Sequence, residues 1–378
     1  MRCLEFLFSH LYSYLPDPLI IVLSLSGSLE GAISLNTFLL SSLCFRTMAL
    51  TPKSVLTAPN MKMPVVGLGT WQGAEDDLEK ALDAAFEIGY RHIDTAYVYE
   101  NEKFIGRAIK KWIDSGKLKR EELFIVTKLC PTHLRPEHVE KSLKESLERL
   151  GLDYVDLFLI HNPVGLLFSD CLFPVGPNGE MLLDVKTDLV ATWKAMEQQV
   201  DSGLAKAVGI SNFNIGQIQR ILNSCRIKPA NLQVELYVYL QQPELVKFCQ
   251  ENGITICAYG PIGSPSLKQF TEKIGMNVES LNIQTPMNDP IVVEIAKKHG
   301  KTPSQVLLRF LLQMGVAVIP KSSNPERLKS NIDVFDFELT ADEFNRLQTL
   351  DKGEKGRQFG NSGLFLPMMD HPEYPFPK

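Results

Sequence analysis

An eight-stranded parallel (β/α)8 TIM barrel is the fold that this sequence predicts. Three observations predict it. From about residue 64 onward, short apolar runs alternate with longer amphipathic ones. Eight such units fill roughly 300 residues, about the size of one such barrel. Nearly every apolar run ends on a polar or reactive side chain.

The candidate strands are VVGLG (65–69), YRHID (90–94), LFIVTK (123–128), YVDLFLIH (154–161), AKAVGIS (205–211), ANLQVEL (230–236), ITICAY (254–259) and VAVIPKS (316–322). Between them lie helical patterns such as DDLEKALDAAFEIG (76–89), PEHVEKSLKESLERLG (136–151) and NDPIVVEIAKKHG (288–300). Their apolar positions recur at spacings of three and four, and each closes on a glycine, a natural helix stop. A doubly wound open sheet is the competing fold, and the strand ends decide against it. They carry Thr70 and Trp71, Asp94, Lys128, His161, Ser211 and Asn212, Gln233 and Glu235, Tyr259, and Lys321 and Ser322. In a barrel all these ends converge on one face, whereas along an open sheet only those near the switch point could cooperate.

Composition narrows the function. The 378 residues are 44% hydrophobic and 22% charged, with a formal net charge of −5, and there is no basic block to hold a nucleic acid. Seven cysteines (Cys3, Cys44, Cys130, Cys171, Cys225, Cys249, Cys257) are scattered without a C-x-x-C, so neither a disulfide framework nor a metal site is expected, and a reduced, cytoplasmic setting is. Residues 1–50 stand apart, with only Arg2, Glu5, Asp17, Glu30 and Arg46 charged and an apolar run LIIVLSLSGSL. Pro16, Asp17, Pro18 and Glu30 interrupt the length a membrane span needs, and no A-x-A-like cleavage site follows the run. The segment is read as an N-terminal extension with three alternatives, a membrane anchor (the one these interruptions disfavour), a weak cleaved signal, or sequence upstream of a start at Met48, with the barrel domain at 51–378.

Four strand-end residues carry the chemistry. HIDTAYVYENE (92–102) sets Asp94 and Tyr99 five residues apart just past an apolar run, while IVTK and LFLIH end on Lys128 and His161. Reduction of a carbonyl places negative charge on its oxygen, so a donor must sit there and give up a proton. A free tyrosine, with a pKa of about 10, is a reluctant donor at neutral pH. A lysine ammonium nearby lowers that pKa, and an aspartate holds the lysine charged and in place. Taken singly, each has a plainer reading: Asp94 as a helix cap, Tyr99 as core, Lys128 as a solvated charge, His161 as a buried, satisfied imidazole. Their joint occurrence at strand ends favours the chemical one.

Two segments bear on nucleotide binding. GLGTWQG (67–73) is not a dinucleotide fingerprint, because its spacing is G-x-G-x-x-x-G and Trp71 fills the loop. IPKSSNPERLKSN (319–331) follows the last strand and places Ser322, Ser323 and Asn324 before Pro325 at a helix start, with Lys321 and Arg327 as cations. That is an anion site at the usual phosphate position of such barrels. Alone, the segment fits an ordinary capped helix with solvated charges equally well.

From about residue 55 to its end the chain resembles the aldo-keto reductase family. The likeness rests on GLGTW, the D-x-A-x-x-Y-x-N-E element at 94–102, Lys128, LIH, GISNF (209–213), QVE, AYGPIGSP, IPKSSNPERLKSN and the tail HPEYPF (371–376). The resemblance implies an NADPH-dependent reduction of an aldehyde or ketone by a monomer acting on a small carbonyl substrate. Tyr99 is then the proton donor, Lys128 its modulator, Asp94 the partner of Lys128, and His161 the residue that orients the carbonyl. The resemblance also implies a cofactor stacked on Tyr259, its carboxamide held by Ser211, Asn212 and Gln233. It places Ile262, Gly263 and Ser264 along the pyrophosphate and Lys321, Ser322, Ser323, Asn324, Arg327 and Asn331 around the adenosine 2′-phosphate end. Gly69, Thr70, Trp71 and Asp94 lie beside the cofactor in the same reading, and Trp71, Tyr99, His161 and Asn162 line the substrate. The alternative is an NADPH-binding regulatory or structural protein with little turnover.

The sequence departs from the family at Asn162, where an aromatic is common, at Tyr237-Val238, where His-Pro is frequent, at Gly260 for a frequent Ser, and at Ser330 for a frequent acid. Segments 162–187 and 264–288 and the tail from 352 are expected to wall the cleft, the middle one as a lid.

Overall fold

The computed structural model of the chain describes residues 50–73, 75–268, 272, 283–360 and 365–377. The expectations for residues 1–49 and for most of the lid segment lie outside the described residues. One compact unit begins at Leu50.

Eight parallel strands form the sheet: β3 (Leu68–Gly69), β4 (His92–Asp94), β5 (Phe124–Leu129), β6 (Val155–Ile160), β7 (Ala205–Ser211), β8 (Asn231–Glu235), β9 (Thr255–Tyr259) and β10 (Ala317–Val318). Each pairs with the next in chain order. Parallel bridges Val66↔Val318 and Gly69↔Lys321 join the last strand to the first, so the sheet closes into a barrel. The amide of Gly67 donates to Val318 O at 2.9 Å and that of Val318 to Val65 O at 2.8 Å across this seam. All eight strands fall inside the runs predicted from sequence or extend them by one residue.

Helices follow the strands: α1 (Glu75–Ile88), α2 (Glu102–Asp114), α3 (Pro136–Leu150), α4 (Leu189–Asp201), α5 (Ile215–Leu222), α6 (Pro243–Glu251), α7 (Pro290–His299), α8 (Pro303–Gln313), α9 (Pro325–Ile332) and α10 (Ala341–Gln348). Helix α3 stops at Gly151 and α7 at Gly300, both left-handed with φ near 63° to 64°, a conformation that costs glycine little. Among the described residues no helix is long and apolar enough to cross a membrane.

Strand alternation separates two cores. On β5, Ile125 and Leu129 pack outward against the helices, while Phe124 and Val126 pack inward with Leu157, Leu159, Ala207, Cys257 and Ala317. The next inward position up the strand is Lys128, which is fully buried. A hairpin that the sequence reading does not include, β1 (Val55–Ala58) with β2 (Met61–Pro64), closes the opposite end. Its Met61 and Met63 join Phe124 and Ala230, which lie at the starts of their strands, and so plug the barrel floor. One end is sealed with apolar side chains, and the other carries the polar strand ends.

Candidate active site

Lys128 organises the open end. Its ammonium lies 2.6 Å from Asp94 Oδ1, 2.9 Å from the carbonyl of Thr95 and 3.5 Å from the Tyr99 hydroxyl. An unpaired buried ammonium costs several kcal/mol, roughly, so these three oxygens are a condition of its being there. Burial opposes the charge on Lys128, yet Asp94 and Tyr99 outweigh it and the net direction of its pKa is upward. The other oxygen of Asp94, Oδ2, accepts from Gln233 Nε2 at 2.7 Å. Both carboxylate oxygens are thereby committed, which fixes the anion that fixes the lysine.

Tyr99 sits on a 3-10 turn (Tyr97–Tyr99) that ends at Glu100 in the left-handed region. The turn hangs from a polar net below it. The Thr95 hydroxyl donates to Asn101 Oδ1 at 2.8 Å, Asn101 Nδ2 to Thr70 O at 2.8 Å, and the Thr70 amide and hydroxyl both donate to Asp94 O, at 3.1 and 2.9 Å. Behind it, buried Glu102 accepts from Thr127 Oγ1 at 2.6 Å and pairs with Arg149 at 2.7 Å. Asn101 and Glu102, both within the 94–102 motif, thereby tie the start of α2 to Thr70, Thr95 and β5 beneath the turn that carries Tyr99.

One expectation needs correcting. Burial raises the pKa of Tyr99, Lys128 lowers it and Asp94 raises it again, with a net upward direction. The lysine acts in the expected sense, but desolvation of the phenolate wins. Tyr99 is therefore held protonated.

His161, immediately after β6, meets the Tyr99 ring edge to face, centroids 5.6 Å apart. Burial, with the charge of Lys128 adding to it, holds its pKa well below the ordinary imidazole value, so the ring is neutral. Its Nδ1 is buried without a hydrogen-bond partner. Only Nε2 can then meet a substrate oxygen, and to donate there it must carry the ring's single proton.

The remaining predicted residues lie on the same rim. Ser211 and Asn212 end β7, with Asn212 Nδ2 donating to His161 O at 2.9 Å and to Ser211 Oγ at 3.2 Å; the Tyr259 hydroxyl donates to Asn212 Oδ1 at 2.8 Å. Gln233 is brought among them with one of its two amide hydrogens on Asp94, which leaves the other hydrogen and Oε1 for a carboxamide. Asn162 is buried, its Oδ1 accepting from Val164 N at 2.9 Å and its Nδ2 without a partner. Ile262, Gly263 and Ser264 form a turn after β9 in which Gly260, Gly263 and Ser264 all have positive φ. Gly260, with φ of 60°, takes the left-handed conformation that glycine adopts without strain, at this departure from the family pattern. Gly69 pairs with Lys321 at the barrel seam, and Trp71 packs edge-on against Phe359.

After β10, Ser322 Oγ accepts from Asn324 N at 3.1 Å and Asn324 caps α9 by accepting from Arg327 N at 3.0 Å, while Asn331 is buried on the same helix. Ser323 lies between Ser322 and that cap. Partial burial and then Arg327 depress the pKa of Lys321, with Asp77 opposing. A lysine whose charge is opposed by a neighbouring guanidinium at a helix start is a site that a phosphate would relieve. The segment thus fits the phosphate end of a nucleotide.

The chain as a whole matches a known group of proteins. Residues 65–352 match the model of the Aldo/keto reductase family. The chain belongs to that family. It is 41% identical over 322 residues to the aldo-keto reductase family 1 member C23-like protein of Equus caballus and 42% identical over 319 residues to dihydrodiol dehydrogenase 3 of Bos taurus, each match covering 83% of this chain and 94% of the relative. The solved aldose reductase from Schistosoma japonicum superimposes with a TM-score of 0.77 at 43% identity, covering 87% of this chain and 99% of that one. As an aldo-keto reductase the chain is an NADP-dependent oxidoreductase of the class that acts on small carbonyl compounds.

Two features were not read as functional from the sequence. Glu235 and Tyr237, at and just beyond the end of β8, bind the tail at 356–359. The tail's Met368 and Tyr374 also pack with Val164 and Leu166 of the 162–187 segment, and buried His371 reaches Asp184 O at 2.9 Å. The tail is expected from sequence to wall the cleft, but the partners that hold it lie far off in the chain.

Proposed function

We propose that this chain reduces an aldehyde or ketone to the alcohol with NADPH, Tyr99 giving the proton. The observation that carries the reading is the buried ammonium of Lys128 held between Asp94 and the Tyr99 hydroxyl, with a neutral His161 against the Tyr99 ring. Bound NADPH supplies the hydride.

The chain's own residues do the rest. As charge develops on the carbonyl oxygen, Tyr99 and Nε2 of His161 meet it as hydrogen-bond donors. Tyr99 then gives up its proton. The phenolate left behind faces Lys128, whose charge is fixed by Asp94, so the negative charge moves from substrate to a prepared partner. The carbonyl of Thr95 accepts from the lysine and Gln233 holds the Asp94 carboxylate, so the ammonium stays in place as the proton leaves. Lys321 and Arg327 hold the 2′-phosphate end and favour NADPH over NADH, which would leave both cations unpaired.

Ser211, Asn212, Gln233 and Tyr259 hold the nicotinamide end in this reading, with Ile262, Gly263 and Ser264 along the pyrophosphate. The catalytic unit is residues 51–378, working as a single chain in a reduced, cytoplasmic setting.

The test is NADPH oxidation followed by absorbance with an aromatic aldehyde, a sugar aldehyde, a quinone and a steroid-like ketone, NADH run in parallel. Turnover preferring NADPH is expected. Quenching of tryptophan fluorescence by NADPH with no substrate turned over would instead favour the binding-protein alternative.

A further inference from the structure

Glu235 is a buried carboxylate that the proposed chemistry does not use. It stands two residues beyond Gln233 on β8, and its oxygens accept from the backbone amides of Gln358 at 2.9 and 3.2 Å and of Phe359 at 3.1 Å. Two residues further, Tyr237 is fully buried and its hydroxyl donates to the carbonyl of Gly356. A Cβ on Gly356 would come within 2.1 Å of the Tyr239 carbonyl, so the segment lies flat on the β8 exit. The Lys352 amide adds a bond to that same carbonyl at 2.9 Å.

What this holds in place is Phe359. Its ring packs edge-on against Trp71 at 5.6 Å and against Tyr259 at 5.5 Å, spanning the exits of β3 and β9. Trp71 is a rim aromatic and Tyr259 the proposed nicotinamide stack, so Phe359 is positioned where the cleft wall meets the cofactor.

We propose that Glu235 and Tyr237 are positioning residues that clamp segment 356–359, and that through Phe359 this clamp sets how closely the cleft fits a bulky carbonyl substrate and loosens when Glu235 takes a proton. The inference rests on the reading of the rim as a carbonyl-reducing site.

The chemistry of the acceptor supports the proton dependence. Ionised, Glu235 accepts from the Gln358 amide through both oxygens and from the Phe359 amide through Oε2; a proton on Oε1 gives up the 2.9 Å bond from Gln358 and leaves Oε2, now uncharged, to accept from both amides at 3.2 and 3.1 Å, so the grip weakens. Burial moves this carboxyl up to about 7, against the opposite pull of Arg357 and the two amides, with Glu354 pushing the same way as burial. The titratable groups around it are Arg357, bound in turn by Glu354 at 2.6 Å, Tyr259 at the end of β9, and Tyr237, both tyrosines pushed up mainly by burial. Glu235 is the member of this set that changes charge near neutrality.

The experiment has two arms on the full chain. Tryptophan fluorescence without cofactor is recorded from about pH 8 to about pH 6 for wild type, Glu235→Gln, Tyr237→Phe and Trp71→Phe, and kcat/KM is measured for a small aromatic aldehyde and a steroid-like ketone over the same range. Wild type should show a fluorescence change that Trp71→Phe abolishes, with Glu235→Gln already in the low-pH state at about pH 8. The preference between bulky and small substrate should shift by about tenfold across the pH range in wild type, as a sub-ångström misplacement can do, and be flat in Glu235→Gln. Tyr237→Phe should move both readouts the same way. Fluorescence and substrate preference that ignore pH in wild type overturn the clamp, even if Glu235→Gln fails to fold. Absence of turnover with every substrate would sink the enzyme reading, while the fluorescence arm still decides the clamp.

Discussion

Lys128 Nζ and Asp94 Oδ1 stand 2.6 Å apart inside the barrel, both side chains shielded from water, and each is the other's licence to be charged there. Removing one partner leaves an uncompensated buried charge, which costs more than the pair itself contributes. Asp94→Asn should lower stability by about 3–5 kcal/mol in urea denaturation. A loss below about 1 kcal/mol, the range of an exposed pair, would show that water reaches the site.

Cofactor choice is assigned to Lys321 and Arg327. Arg327→Ala should raise the Kd for NADPH by about ten- to a hundredfold, the worth of one or two charge-assisted hydrogen bonds, and leave that for NADH nearly unchanged. Fluorescence titration of both cofactors checks it. Equal weakening of the two would place the cations away from the 2′-phosphate.

The pH dependence of kcat follows from two opposite shifts. Burial, with Lys128 adding, holds His161 well below its ordinary value, and burial holds Tyr99 above its own. The histidine is neutral and the tyrosine protonated throughout the neutral range. For a small aldehyde kcat should be flat from about pH 6 to about pH 9, and decline only as the tyrosine ionises. A bell centred near neutrality would contradict both directions.

Glu235 makes a separate prediction for stability. Its folded value of about 7 lies above the ordinary 4.5, so between these the native state binds more protons than the unfolded one. Its contribution is therefore fully present below about pH 4.5 and is lost as pH rises through about 7, by an amount on the order of 3 kcal/mol. Thermal denaturation of Glu235→Gln should lack that slope. Parallel wild-type and variant curves would mean that the carboxyl titrates in its usual range.

How much of this was legible in the sequence depends on range. The apolar runs gave the eight strands and their order, because inward and outward faces of a barrel strand are both buried and read as near-continuous apolar segments. Their polar ends gave Asp94, Lys128, His161, Ser211, Gln233 and Tyr259, since a barrel collects strand ends on one face. The β1–β2 hairpin escaped notice because four-residue strands with a proline at one end carry too short an alternation. The bond from Gln233 to Asp94 and the grip of Glu235 on Phe359 join residues more than a hundred positions apart, and no local pattern encodes them. The direction of the Tyr99 shift went the other way for a related reason. Its neighbours in charge could be guessed from the motif, but the depth of its burial is a property of the finished fold.

The most direct measurement is turnover by Tyr99→Phe beside NADPH binding by the same variant. The account predicts a fall in kcat of at least about a hundredfold, the usual worth of a positioned general acid, with NADPH binding retained. Turnover close to wild type would contradict the assignment of the proton donor, and loss of binding together with turnover would make Tyr99 a structural residue.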